Sequence, residues 1–261
     1  MKSFRPPRSI LSANGAILAG LALLGGLALG ACRGGGRTET SPSPSPSATA
    51  VAAADYRPVV LFVGTSLTAG LGLDPSEAYP ALVQEKIDAA GLRYRVVNAG
   101  VSGETSAGAR RRMAWLLRQP VAVLVVETGA NDGLRGQEPE ATRESIQAIF
   151  DEAKRQQPPP KLVLAAMEAL PNYGEDYRRR FRAIYPELAR ANGATLVPFL
   201  LDGVAGEARL NQPDGIHPTA EGHALVAATV WKSLRPVLTP APQGPVIPRD
   251  SGRTGPEESA G

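Results

Sequence analysis

Short runs of continuously apolar residues alternate along this chain with longer segments whose apolar positions recur every three or four residues. Residues 58–63 read Pro-Val-Val-Leu-Phe-Val and stop at Gly64, which predicts a buried strand. Residues 77–90 carry Tyr79, Leu82, Val83 and Ile87 at helical spacing, and Gly91 closes that helix. A second strand is expected over 94–97, ending at Asn98-Ala99-Gly100, followed by a helix over 105–117 with Met113, Leu116 and Leu117 inward. The most apolar run, 121–126, ends at Gly129-Ala130-Asn131-Asp132-Gly133. A helix over 140–155 is stopped by three consecutive prolines, and a fourth strand spans 161–167. A helix over 177–191, a short strand over 194–198 and a last helix over 219–234, capped by Thr219, complete the pattern.

Strands that alternate with helices, and are apolar throughout, belong to a parallel sheet covered on both faces. The expected fold is α/β: a doubly wound, flavodoxin-like three-layer sandwich around a five-stranded parallel sheet. Such sheets bind ligands beyond the carboxyl ends of their strands. The polar and glycine-rich segments fall there, after the first, second and third strands.

The chain has 261 residues, 28 basic and 25 acidic side chains, and a single cysteine. Three of the basic residues, Lys2, Arg5 and Arg8, precede the first apolar run, and no acid occurs before Glu39. The remaining 25 basic side chains balance the 25 acids, so the net charge of +3 offers no argument for a nucleic-acid partner. A basic start, an apolar stretch over 10–29 and the ending Leu29-Gly30-Ala31-Cys32 describe an export signal over 1–31. The ending resembles a lipobox, which implies a bacterial lipoprotein held to a membrane through lipid on Cys32, facing the periplasm or the cell surface. A transmembrane anchor, or an ordinary secreted protein with an incidental Cys32, are the other readings of the same run. Residues 32–55 are rich in Gly, Ser and Pro and read as a disordered tether, 56–238 as the folded domain, and 239–261 as a disordered tail. One cysteine and two histidines exclude a disulfide framework and leave too few ligands for a Cys/His metal cluster. No metal or cofactor is expected, and a monomer is.

Candidate chemistry sits in the loops. Ser66, in Gly64-Thr65-Ser66-Leu67-Thr68-Ala69-Gly70, stands at a strand-to-helix turn, where it is an exposed nucleophile or simply a helix cap. Asp214-Gly215-Ile216-His217-Pro218 places a carboxylate three residues before a histidine, across a glycine turn. That spacing suits a general base and its orienter, or an unremarkable loop. His223 has no carboxylate at the same offset and reads as structural or solvated. Gly103 offers a backbone N–H without an obstructing Cβ, and the Asn131 amide can donate to a developing oxyanion. Each of these two segments also suits a plain turn.

Ser66, Gly103, Asn131 and His217 stand in chain order as the four blocks of the SGNH (GDSL) hydrolases, and the chain resembles that family over about 58–236. Residues 64–70, 101–106, 131–136, 171–174, 184–186 and 214–218 are similar to its branch of bacterial acyl-CoA thioesterases, arylesterases and lysophospholipases. The resemblance implies Ser66 as nucleophile, His217 as base and Asp214 as its orienter. It also implies an oxyanion hole from the Ser66 and Gly103 N–H groups and the Asn131 side chain. One position departs: the family's Gly-Asp-Ser-Leu is Gly-Thr-Ser-Leu here, with Thr65 for Asp. That residue orders the loop rather than entering the reaction, so activity is expected to survive.

The expected activity is hydrolysis of carboxylic esters (aryl esters, lysophospholipids, other acyl esters or thioesters) through an acyl-serine, with Leu134, Leu170 and Tyr173 as candidate walls of the acyl pocket. A carbohydrate O-acetyl esterase would use the same residues with another pocket, but aromatics, at 5% of the chain, are scarce for a sugar platform. A surface binding module on the same scaffold would retain the fold without turnover; the intact Ser66, Asp214 and His217 speak against it.

Overall fold

The structure, a computed structural model, describes residues 57–238. The segments read from sequence as an export signal with Cys32, a tether and a tail lie outside the described residues. Five strands form one parallel sheet in the order β2-β1-β3-β4-β5: β1 is Val59–Gly64, β2 Arg95–Gly100, β3 Val123–Glu127, β4 Lys161–Ala165 and β5 Thr195–Val197. The order reverses between β1 and β3, so their carboxyl ends flank the switch point where such sheets open a crevice. Central strands β1 and β3 are buried along their whole length, whereas edge strand β2 is half-buried and begins at an exposed Arg95.

The helices α2 (Tyr79–Ala89) and α7 (Ala220–Leu234) pack together, and α3 (Ser106–Leu116), α5 (Pro139–Ala153) and α6 (Glu175–Asn192) form a contiguous second group. Their termini are set locally. Thr105 and Thr219 accept from the N–H groups of Gly108 and Gly222, and Gly193 closes α6 in the left-handed region at φ +65°.

Most element ends differ from the sequence pattern by one to three residues; β2, for one, runs on through Asn98-Ala99 to Gly100. Residues 75–77 form a separate 3₁₀ turn capped by Asp74, whose carboxylate accepts from Ser76 while Glu77 reaches back to Asp74. Strand β4 ends at Ala165, not residue 167, which frees Met167 from sheet pairing. Two short helices, α1 (Ser66–Ala69) and α4 (Ala130–Leu134), occupy segments too short to show a period.

Candidate active site

Strand β1 delivers the chain to a tight turn. Thr65 is extended at φ −94° and caps α1, Ser66 is its first residue, and Gly70 ends it at φ +75°. Ser66 is only 8% exposed, so it is recessed rather than standing free on the turn. Its Oγ is 2.9 Å from Nε2 of His217, and Nδ1 of His217 is 2.6 Å from Oδ2 of Asp214. With Nδ1 donating to the carboxylate, Nε2 is the ring atom left to accept the serine proton.

The loop that carries this pair is fixed from several sides. Gly215 turns the chain at φ +70°, which lets Asp214 Oδ1 accept from the N–H groups of Ile216 and His217 at 2.9 and 3.0 Å. The bond from the His217 N–H, the His217 ring and the Ile216 N–H hold the Asp214 carboxyl far below the usual carboxylate range. Gln212 donates from its backbone to the His217 carbonyl at 2.7 Å and from its side chain to the Leu71 carbonyl at 2.8 Å, tying the His217 loop to the segment after α1.

Gly103 lies in the loop after β2 at φ +76°, with open space where a Cβ would stand. Asn131 lies in α4 after β3, and its Nδ2 donates to the Glu104 carbonyl at 3.0 Å. The next residue, buried Asp132, accepts from the N–H and hydroxyl of Ser106 at 2.9 and 2.5 Å. The loops after β2 and β3 are therefore locked together.

Ser66, Gly103, Asn131 and His217 line one cavity of about 380 Å³. Its other walls include Leu71, Leu134, Met167, Leu170, Phe199, Leu201 and Ile216. Leu71, Leu134, Leu170 and Ile216 are also among the exposed large apolar residues, so the rim is apolar as well. Leu134 and Leu170 fall where the sequence put them. Tyr173 is not part of the wall: its ring covers Gly136 and its hydroxyl donates to the Leu134 carbonyl at 3.2 Å. Met167, read from sequence as the end of the fourth strand, is a wall residue instead, and Phe199 and Leu201 lie in a segment, 199–216, with no periodicity to follow.

Two further groups flank the site. His223 is buried, its Nδ1 accepts the Tyr79 N–H at 3.0 Å, and burial pushes its pKa down to about 4, so it is a structural residue. Glu127, which closes β3, is fully buried and was not singled out from sequence. It accepts from the N–H and hydroxyl of Thr65 and the hydroxyl of Thr68, and burial pushes its pKa up to about 7 against those bonds. Thr65 thus points inward to an acid. Among the described residues no group of three or more His, Cys, Asp or Glu could hold a metal ion.

The sequence pattern of the GDSL-like lipase/acylhydrolase family matches residues 62–225. Esterase TesA of Pseudomonas aeruginosa is 39% identical over 180 residues, covering 69% of this chain and 89% of that protein. A protein of Escherichia coli strain K12 described as thioesterase 1, protease 1 and lysophospholipase L1 is 38% identical over 181 residues, covering 69% of this chain and 84% of its own length. The crystal structure of TesA superposes with a TM-score of 0.65 at 39% identity, covering 69% of this chain and 99% of that one.

Proposed function

The chain belongs to the GDSL-like lipase/acylhydrolase family, and on that premise we propose that this carboxylic ester hydrolase works through Ser66, His217 and Asp214. The observation that carries the assignment is the unbroken chain of hydrogen bonds from Ser66 Oγ through both ring nitrogens of His217 to Asp214, inside an apolar cavity.

His217 Nε2 takes the hydroxyl proton as Ser66 Oγ attacks the acyl carbonyl, and the imidazolium is stabilised by Asp214. The N–H groups of Thr65 and Leu67 are committed to Glu127 and to the Thr65 hydroxyl, so the Ser66 N–H is the donor of this turn that remains for a ligand. With the Gly103 N–H and the Asn131 amide it meets the oxyanion; each such donor contributes about 10²–10³ in rate. His217 then protonates the leaving alcohol, and a water activated by the same nitrogen releases the acid from Ser66.

The apolar walls favour an acyl chain over a sugar, which supports aryl and acyl esters, lysophospholipids among them, ahead of a carbohydrate O-acetyl substrate. Thioesters fit the same chemistry. The N-terminal reading stands beside this: the chain is exported and carries lipid on Cys32, so acyl-CoA is not the expected natural thioester. Loss of lipid labelling in Cys32→Ser tests that anchor.

The test of the activity is a p-nitrophenyl ester series from acetyl to palmitoyl, with a thioester and a lysophospholipid added, on wild type and Ser66→Ala. Turnover at least about 10³-fold lower in Ser66→Ala supports the assignment; equal turnover rejects it.

A further inference from the structure

Glu127 is bonded to the turn that carries Ser66 through both of its carboxylate oxygens. Its Oε2 receives the Thr65 N–H at 2.8 Å, the Thr65 hydroxyl at 3.0 Å and the Thr68 hydroxyl at 2.8 Å, and the Thr65 hydroxyl also lies 3.1 Å from its Oε1. These donors bracket Ser66 in sequence. Because the Thr68 hydroxyl proton goes to Glu127, the Tyr79 hydroxyl donates to Thr68 Oγ1 at 2.7 Å, and the Tyr79 N–H is held in turn by His223. A Cβ on Gly64 would strike both Thr68 Oγ1 and Glu127, so glycine leaves the room this network needs.

Among the described residues no cation is a partner of Glu127, although it is completely buried. The titratable groups that face it are the phenols of Tyr79 from α2 and Tyr185 from α6, both buried and held well above their ordinary value, hence neutral. An acid in that position without a counter-ion is costly for stability. An amide or an apolar side chain would avoid the cost, but neither offers acceptors alone. The ionised carboxylate only accepts, as these donors require; a protonated one adds a donor of its own against a turn that presents it with an N–H and two hydroxyls.

We propose that Glu127, in its ionised form, is the positioning residue of the nucleophile turn, setting Ser66 Oγ and the Ser66 N–H against His217 and the oxyanion. It touches no substrate and acts through Thr65 and Thr68. This rests on Ser66 being the nucleophile. The Ser66→Ala comparison tests that assignment separately, so an inactive Ser66→Ala beside an unaffected Glu127 variant sinks only the role of Glu127.

The experiment measures kcat, KM and their pH dependence on a soluble p-nitrophenyl ester, together with the rate at which a p-nitrophenyl alkylphosphonate modifies Ser66, in the full chain and in Glu127→Gln. The Gln variant is expected to keep its KM and to lose kcat and phosphonylation rate by about tenfold to a hundredfold, the scale of a slightly misplaced reacting atom. On the acid side, kcat/KM of the wild type falls more steeply than that of Glu127→Gln, since in the wild type protonation of Glu127 lowers activity in addition to the loss of the base His217. Where Glu127→Gln does not fold, Thr65→Val removes one donor hydroxyl and gives the same loss of kcat without change in KM, and Thr65→Ser recovers most of it. Phosphonylation at the wild-type rate in Glu127→Gln, or in Thr65→Val where that variant decides, overturns the proposal. So do acid limbs of equal steepness in wild type and Glu127→Gln.

Discussion

The hydroxyl of Tyr185, on α6, occupies the space a side chain on Gly129 would need, and donates from there to the Thr128 carbonyl at 3.0 Å. Gly129 sits at φ +101°, directly between Glu127 at the end of β3 and Asn131 in α4. Backbone and packing therefore demand glycine for separate reasons at the hinge that aims Asn131.

Gly129→Ala is expected to destabilise the protein by about 2–4 kcal/mol, combining an unfavourable backbone conformation with an overpacked contact. Urea unfolding measures it. Adding Tyr185→Phe removes the colliding oxygen and should restore part of the loss but not all, since the left-handed backbone at 129 remains. Full restoration would show that φ contributes nothing.

Asp214→Asn preserves shape but changes which ring nitrogen of His217 carries the proton. An Asn amide that donates to Nδ1 leaves the proton on Nε2, where it can no longer accept from Ser66. A fall in kcat of about 10²–10⁴ with little change in KM is expected, by analogy with serine proteases. Steady-state kinetics, with circular dichroism to confirm folding, checks it.

His223 and Glu127 make the stability respond to pH in opposite directions. The His223 pKa is about 4 when folded, below the ordinary 6.5, so the unfolded chain binds more protons between those values. Its contribution is fully present above pH 6.5 and is lost as pH falls toward 4, by at most about 3 kcal/mol. The Glu127 pKa is about 7 when folded, above the ordinary 4.5, so there the folded chain binds more protons and stability falls as pH rises from 4.5 to 7. Thermal melts across pH 4–7.5 should show His223→Gln losing less stability than wild type on acidification, and Glu127→Gln losing less on the way up to neutrality.

Leu134 and Leu170 wall the cavity while remaining partly exposed, so their enlargement to Phe leaves the core untouched. Leu170→Phe narrows the cavity and is expected to lower kcat/KM for long acyl chains more than for acetyl esters, by about tenfold or more. An unchanged chain-length profile in the p-nitrophenyl series would remove Leu170 from the acyl wall.

The sheet was legible because β1 up to Gly64 and β3 through Val126 are continuously apolar, a pattern that a strand covered on both faces requires. The pairing of Asp214 with His217 was legible because three residues and a glycine suffice to bring them together within one loop. Glu127 was not, since an acid after Val126 looks like the polar end of a strand, and only side chains from elsewhere in the chain, Thr68 of α1, Tyr79 of α2 and Tyr185 of α6 among them, enclose it. The cavity wall from Phe199 and Leu201 was equally hidden, because those side chains come from a connection with no period. Tyr173 was misplaced for a related reason: its loop position is right, but Gly136 opposite it provides the surface on which its ring lies.

The central claim is that Ser66 is the atom-donating nucleophile. Its most direct test treats the protein with a p-nitrophenyl alkylphosphonate, follows released p-nitrophenolate, and maps the adduct by peptide mass spectrometry. One equivalent of phenolate, complete loss of esterase activity and an adduct on Ser66 alone, absent in Ser66→Ala, are predicted. Ester hydrolysis that persists in Ser66→Ala, or an inactivating adduct on another residue, would contradict the account.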